Sequence, residues 1–177
     1  FALDDENQLQ ILWSLFKASV YYLSLFIAAS NIEMYSDWVR DKDEELALYV
    51  TSLLEDATIN AYVKTHHSSL LPEMKYADVI SYLLLKPTDT IRDDGIRVVS
   101  SILSYYKTAM IKGNLPEKMM KEVEQAVDML KKFEKRMVEV YSNKGEQKDS
   151  NLSSAVNVSE KLEVASSIYD LLSDYNS

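Results

Sequence analysis

Few residues in this chain could carry chemistry, and their spacing narrows them further. His66 and His67 are the only histidines. Neighbouring helical residues point more than a quarter-turn apart, so the pair suits a helix end better than one metal ion. No Glu-x-x-His accompanies them, so the di-metal carboxylate bundle pattern is absent. The chain has no cysteine, which removes thiol nucleophiles, thiolate metal sites and a disulfide framework. Serines are plentiful, yet no Gly-x-Ser-x-Gly elbow occurs. Carboxylate runs at Asp4-Asp5-Glu6 and Asp93-Asp94 read as charged helix starts, not as acid–base pairs. The expectation is a non-catalytic protein with no cofactor and no metal.

Basic residues make the second candidate. Lys118, Lys121, Lys131, Lys132, Lys135, Arg136, Lys144 and Lys148 fall in or just after one helical pattern. Within it, Lys131, Lys132, Lys135 and Arg136 are the residues that would touch nucleic-acid phosphate. Glu117, Glu122, Glu124, Asp128, Glu134 and Glu139 interleave with them at helical pair spacing, which describes a salt-laced exposed face. The formal net charge is −9. Phosphate binding scales with the cations presented, so this acidic balance disfavours nucleic acid. Residues 1–60 carry 11 acids against 3 bases, and the remainder is close to neutral.

Helices must position all of these groups. Three glycines and three prolines in 177 residues leave little material for hairpins or strand corners. The predicted fold is all-α: a single-domain bundle of about five to six helices over 1–141. A polar linker (142–157) and a C-terminal docking helix (158–175) follow. The first helix is expected from about Asp5 to Tyr35. Its apolar set is Leu9, Leu12, Trp13, Phe16, Val20, Leu23, Ile27 and Met34, with Leu15, Tyr22, Leu25 and Phe26 on neighbouring faces. A helix apolar most of the way round belongs in the middle of a bundle, so it is expected to be the hydrophobic central helix. Lys17 and three serines interrupt it and acids precede it, so no membrane span is expected.

The cluster Asp41-Lys42-Asp43-Glu44-Glu45 opens the second helix, and Leu46, Val50, Leu53, Leu54, Ala57 and Ala61 mark its inner face. Leu71-Pro72 starts a third, with Tyr76, Ala77, Ile80, Leu83 and Leu84 inward and Pro87 as its stop. Thr88 to Thr90 are expected to cap a fourth, which runs to about Lys112 with Gly113 at its left-handed end. Asn114-Leu-Pro-Glu117 is a capping box for the fifth. That helix carries Met119, Val123, Ala126, Leu130, Phe133, Met137 and Val140, a seam stepping by four and three. Asn157 and Glu160 cap the last helix.

The last helix presents Leu162, Ala165, Tyr169 and Leu172, too apolar to stay in water. Leu162, Tyr169 and Leu172 are therefore the candidate partner-binding residues, docking within the chain, in a second copy or in a partner's groove. Truncation after Tyr141 is expected to leave the main bundle folded and to weaken assembly. Twelve tyrosines against four phenylalanines suit half-buried rims and interfaces.

Together these features predict a helical subunit or adaptor that acts by protein–protein interaction, as a homo-oligomer or with a protein partner. The alternative is a small subunit of a nucleoprotein complex using the lysine-rich fifth helix. In size and class the chain is similar to the small helical subunits of CRISPR effector complexes and to helical viral apoptosis regulators. That likeness transfers no functional residue. With Phe at position 1, the chain is expected to be a processed or truncated product, and the expected location is cytoplasmic.

Overall fold

The computed structural model describes residues 5–30, 32–143 and 158–175, and among these there is no strand. Seven α-helices follow in order: α1 (Asp5–Ala29), α2 (Ser36–Val39), α3 (Glu44–His66), α4 (Leu71–Leu84), α5 (Asp94–Thr108), α6 (Glu117–Asn143) and α7 (Val158–Leu172). The all-α bundle is as expected, with α2 a single turn beyond the expected set. Short 3₁₀ turns at Ile32–Tyr35, Ser68–Leu70, Thr88–Thr90 and Ser173–Tyr175 link or end the helices.

Local signals set most helix ends. The Asp43 carboxylate accepts from the Leu46 amide at 2.9 Å, with Glu44 and Glu45 in the first turn of α3. Pro72 stands at the start of α4, where its missing amide costs nothing. Asp93, not Thr88 to Thr90, caps α5, accepting from the Ile96 amide at 2.8 Å. That helix stops at Thr108 because Ala109 turns left-handed at φ 57°. Gly113 has a different task from the expected helix terminus. At φ 95° it passes so close to Thr88 and Asp89 that a Cβ there would meet Asp89 Oδ1 at 2.3 Å. The Asn114 carbonyl accepts from Thr88 Oγ1 in the same turn, and α6 begins only after Pro116.

The central helix is α3, and this corrects the expectation for the N-terminal one. It packs against α1, α2, α6 and α7. Ala47, Ala57 and Ala61 are fully buried, and such small residues let neighbours approach on several sides. The main core gathers Val50, Leu53 and Leu54 of α3, Val98 and Ile102 of α5, Leu130 and Met137 of α6, and Ile168 and Leu172 of α7. The seam expected on the fifth helix is there: Met119, Val123, Ala126, Leu130, Phe133 and Met137 are all buried, and Val140 is partly so.

α1 ends at Ala29 and lies on the outside, held to α3 and α4 by a smaller cluster of Leu25, Ile59 and Val63 with Tyr22, Phe26 and Met74 around it. α4 also faces out more than expected, since Tyr76, Leu83 and Leu84 are exposed.

α7 is docked in its own chain. Ala165, Ile168 and Leu172 are fully buried against the main core. Lys161 crosses to Glu55 of α3 at 2.5 Å with both side chains almost wholly buried, and the Tyr35 hydroxyl donates to the same oxygen at 2.8 Å. Of the expected linker 142–157, residues 142 and 143 belong to α6. The rest of it, with Asn157, lies outside the described residues.

Candidate functional site

Two surfaces stand out, one apolar and one cationic. The first is α1. Leu9, Trp13, Phe16, Val20, Leu23 and Ile27 step by four and three, and their exposure runs from 42% at Val20 to 82% at Ile27. Leu12, also exposed, widens the stripe. This is the set expected to enter the core. The helix instead buries the neighbouring face: Ala18 and Leu25 inside, with Ile11, Leu15, Tyr21, Tyr22 and Phe26 partly covered.

Polar contacts accompany the buried face. The Tyr22 hydroxyl donates to Asp56 of α3, and Lys17 pairs with Glu73 of α4. Rotating the outer seam inward would strip Asp56 and Glu73 of these partners. The stretch Asn7–Ala28 is long and apolar enough to cross a membrane, and only 11% of its most apolar window is buried.

The second surface is a cleft of about 520 Å³ walled by α3, α4, α5 and α6. Five lysines line it: Lys64, Lys75, Lys107, Lys131 and Lys135, against the acids Asp78 and Glu134. Two of the lysines are engaged. Lys64 pairs with Glu134, and Lys107 sits 3.0 Å from Asp56 and 3.8 Å from Asp78. The Tyr106 hydroxyl donates to the other Glu134 oxygen at 2.5 Å, and Asn60 donates to the Tyr106 oxygen at 3.2 Å. Burial pushes the Asp78 carboxyl above its ordinary range, and Lys107 draws it partly back. At the mouth, Lys75, Lys131 and Lys135 are exposed and have no carboxylate partner among the described residues. Lys131 lies 5.8 Å from the Tyr105 ring centroid. Leu71, Met74 and Val138 supply the apolar part of the wall.

The four cations expected to form one nucleic-acid track are divided by the helix they share. Lys131 and Lys135 enter the cleft. Lys132 and Arg136 line a separate groove between α6 and α7. There Lys132 pairs with Asp128 at 2.7 Å, and Arg136 reaches Glu139 at 3.5 Å and Glu160 at 3.7 Å. Sequence reasoning missed Lys64, Lys75 and Lys107, which arrive from three other helices and share no local spacing with Lys131.

The candidate partner-binding residues are used inside the chain. Leu172 is fully buried and Leu162 partly so. The Tyr169 hydroxyl accepts from the Asp43 amide at 2.9 Å, and its ring meets Trp38 edge-on at 5.9 Å. His66 stacks on Tyr62 at 4.4 Å and meets Tyr141 edge-on. Among the described residues no group of three or more potential ligands could hold a metal ion.

The geometry is that of an all-α bundle with a bare apolar seam and a lysine-mouthed cleft. No protein-family model, curated protein or solved structure matches the chain.

Proposed function

We propose that this protein is a non-catalytic helical assembly subunit that associates through α1, and that the α1 seam of a second copy covers its own. The bare seam carries the reading. By their fractional exposures, its seven large residues offer about 800 Å² per copy, the share each partner gives to an interface of standard size.

The choice of a second copy rests on pattern and charge. Steps of four and three are the spacing with which helices interlock as knobs into holes, and one such stripe can meet itself across a two-fold axis. From Asn7 to Ser30 the only charged residue is Lys17, which is tied to Glu73, so no like charges face each other across that axis. A helix lying on a membrane surface would want free lysines or arginines beside its apolar face. A helix crossing a bilayer would have to leave Asp56 and Glu73 behind.

Sedimentation velocity over a dilution series tests this. The native chain is expected to be a dimer. Trp13→Glu and Leu23→Glu are expected to be monomers with unchanged far-UV circular dichroism, because both side chains already face water within the chain. A native chain that stays monomeric at every concentration removes the proposal. If that monomer floats with lipid vesicles and the variants do not, the seam is a membrane surface instead.

A further inference from the structure

The cleft between α3, α4, α5 and α6 has no part in the proposed association, yet it holds the unbalanced positive charge of an acidic protein. We infer that it is a binding site for a small organic phosphate of nucleotide size, with the phosphates at Lys75, Lys131 and Lys135 and the organic body against Leu71, Met74 and Val138.

Charge comes first. Of the five lysines, Lys64 and Lys107 are matched by Glu134, Asp56 and Asp78. The three at the mouth have no acid to answer them among the described residues, although the whole chain carries a net −9. Solvated lysines on a helix face usually pair with acids three or four residues away, as Lys121 does with Glu117 and Lys132 with Asp128. Lys131 and Lys135 sit on that same helix and do not. Ammonium groups converging from α4 and α6 on one opening focus potential there, and lysine is a well-used point charge for phosphate.

Volume and wall decide the rest. About 520 Å³ lies within the range of small-molecule sites and is too large for phosphate alone. Asp78 and Glu134 sit at the inner end beside Lys107 and Lys64. They repel an anion from the floor and leave the mouth as the place for its charge. Asn60 and Tyr106 are the neutral polar residues lining the cleft. The Tyr106 hydroxyl is engaged with Glu134 and Asn60, which leaves the Asn60 side-chain amide to meet a base or sugar. The engaged lysines therefore leave the inner cleft with no spare positive charge, while those without an acid attract the ligand. A nucleic-acid strand is disfavoured because Lys132 and Arg136, which would extend a track along α6, turn to another face and are paired.

The test is calorimetric titration of the full chain with ADP, pyrophosphate and a single-stranded oligonucleotide, at low and moderate salt. ADP is expected to bind one per chain and tighter than pyrophosphate, and to weaken as salt rises. Lys75→Gln and Lys135→Gln should each weaken ADP about tenfold, as loss of a charge-assisted contact does. Lys132→Gln, on the other side of the same helix, should leave it unchanged. All three side chains are exposed, so the variants are expected to fold, which circular dichroism checks. No ADP binding at low salt overturns the inference, as does equal weakening by Lys132→Gln. Pyrophosphate binding as tightly as ADP removes the organic body. Oligonucleotide binding that tightens with length and excludes ADP assigns the cleft to nucleic acid and overturns the small-ligand reading.

Discussion

Two helices of this molecule carry the same apolar rhythm and have opposite fates. On α6, Met119, Val123, Ala126, Leu130, Phe133 and Met137 step by four and three and are buried; on α1, Leu9, Trp13, Phe16, Val20, Leu23 and Ile27 step identically and are bare. The difference lies in the neighbours. α6 meets α3, α5 and α7, whose inner residues close over its seam. α1 meets α3 and α4 with its other face, where Tyr22 and Lys17 pair with Asp56 and Glu73. A seam is thus an offer of burial, and the helices packed beside it decide whether the same chain takes it up.

Alkali should break both arrangements and has the largest expected effect. Tyr22 beside the α1 anchor, and Tyr35, Tyr49, Tyr106 and Tyr141 around the core, have pKa values raised above the ordinary 10.0. Burial is the first cause, joined by nearby carboxylates. The folded chain holds these protons to higher pH than the unfolded chain does. Their contribution is therefore complete below pH 10 and is lost as pH climbs beyond it, by about 1 kcal/mol for each tyrosine at one unit above that value. Lys161, whose pKa is lowered chiefly by burial and partly restored by Glu55, opposes this with a single proton. Urea midpoints measured from pH 8 to 11 should stay level and then fall steeply. A level profile throughout would mean that these hydroxyls are solvated.

The next effect sharpens the α6 side, where α7 helps close the seam. Lys161→Ala leaves Glu55 buried without its cation, at a cost of about 3–5 kcal/mol. Replacing Glu55 and Lys161 together by methionine should recover most of it. Equal losses in the single and double variants would show that the pair holds no special place.

A direct contrast comes from one leucine in each seam. Leu130→Ala, in a fully buried position, should cost about 2–5 kcal/mol in chemical denaturation. Leu23→Ala should change the stability of the dissociated monomer by no more than about 0.5 kcal/mol, while weakening association. A large loss at Leu23 in the monomer would mean that α1 buries the seam within its own chain.

Smallest is the anchor itself. Tyr22→Phe should cost about 1 kcal/mol, since Asp56 keeps Lys107 as a partner. Amide hydrogen exchange should nevertheless speed up along α1 before it does along α3. Uniform protection of α1 in the variant would show that the small cluster around Leu25 holds the helix without the hydroxyl.

Much of this architecture was legible because its causes are local. Scarce glycine and proline, the Asp43 cap with its acids, Pro72 ahead of α4 and the four–three steps of α6 each act within a turn or two of the chain. Helix type and approximate extent follow from such short-range chemistry. Even there, ends shifted where a distant residue intervened: Gly113 and Asn114 answer to Thr88, not to the helices beside them.

What only the tertiary structure decided are the matters that pair residues far apart. The identity of the central helix depended on which seam found neighbours, and periodicity is blind to that. Leu162, Tyr169 and Leu172 dock within the chain, on the helix from which Lys161 finds Glu55, 106 positions away. The cleft was half visible: Lys131 and Lys135 could be named from α6, but nothing in their vicinity reveals Lys75 beside them or Asp128 and Glu160 drawing Lys132 and Arg136 away. Amino-acid order sets which faces are apolar and which are charged. Which of those faces remain at the surface is settled only on folding, by the neighbours that long-range packing brings against each.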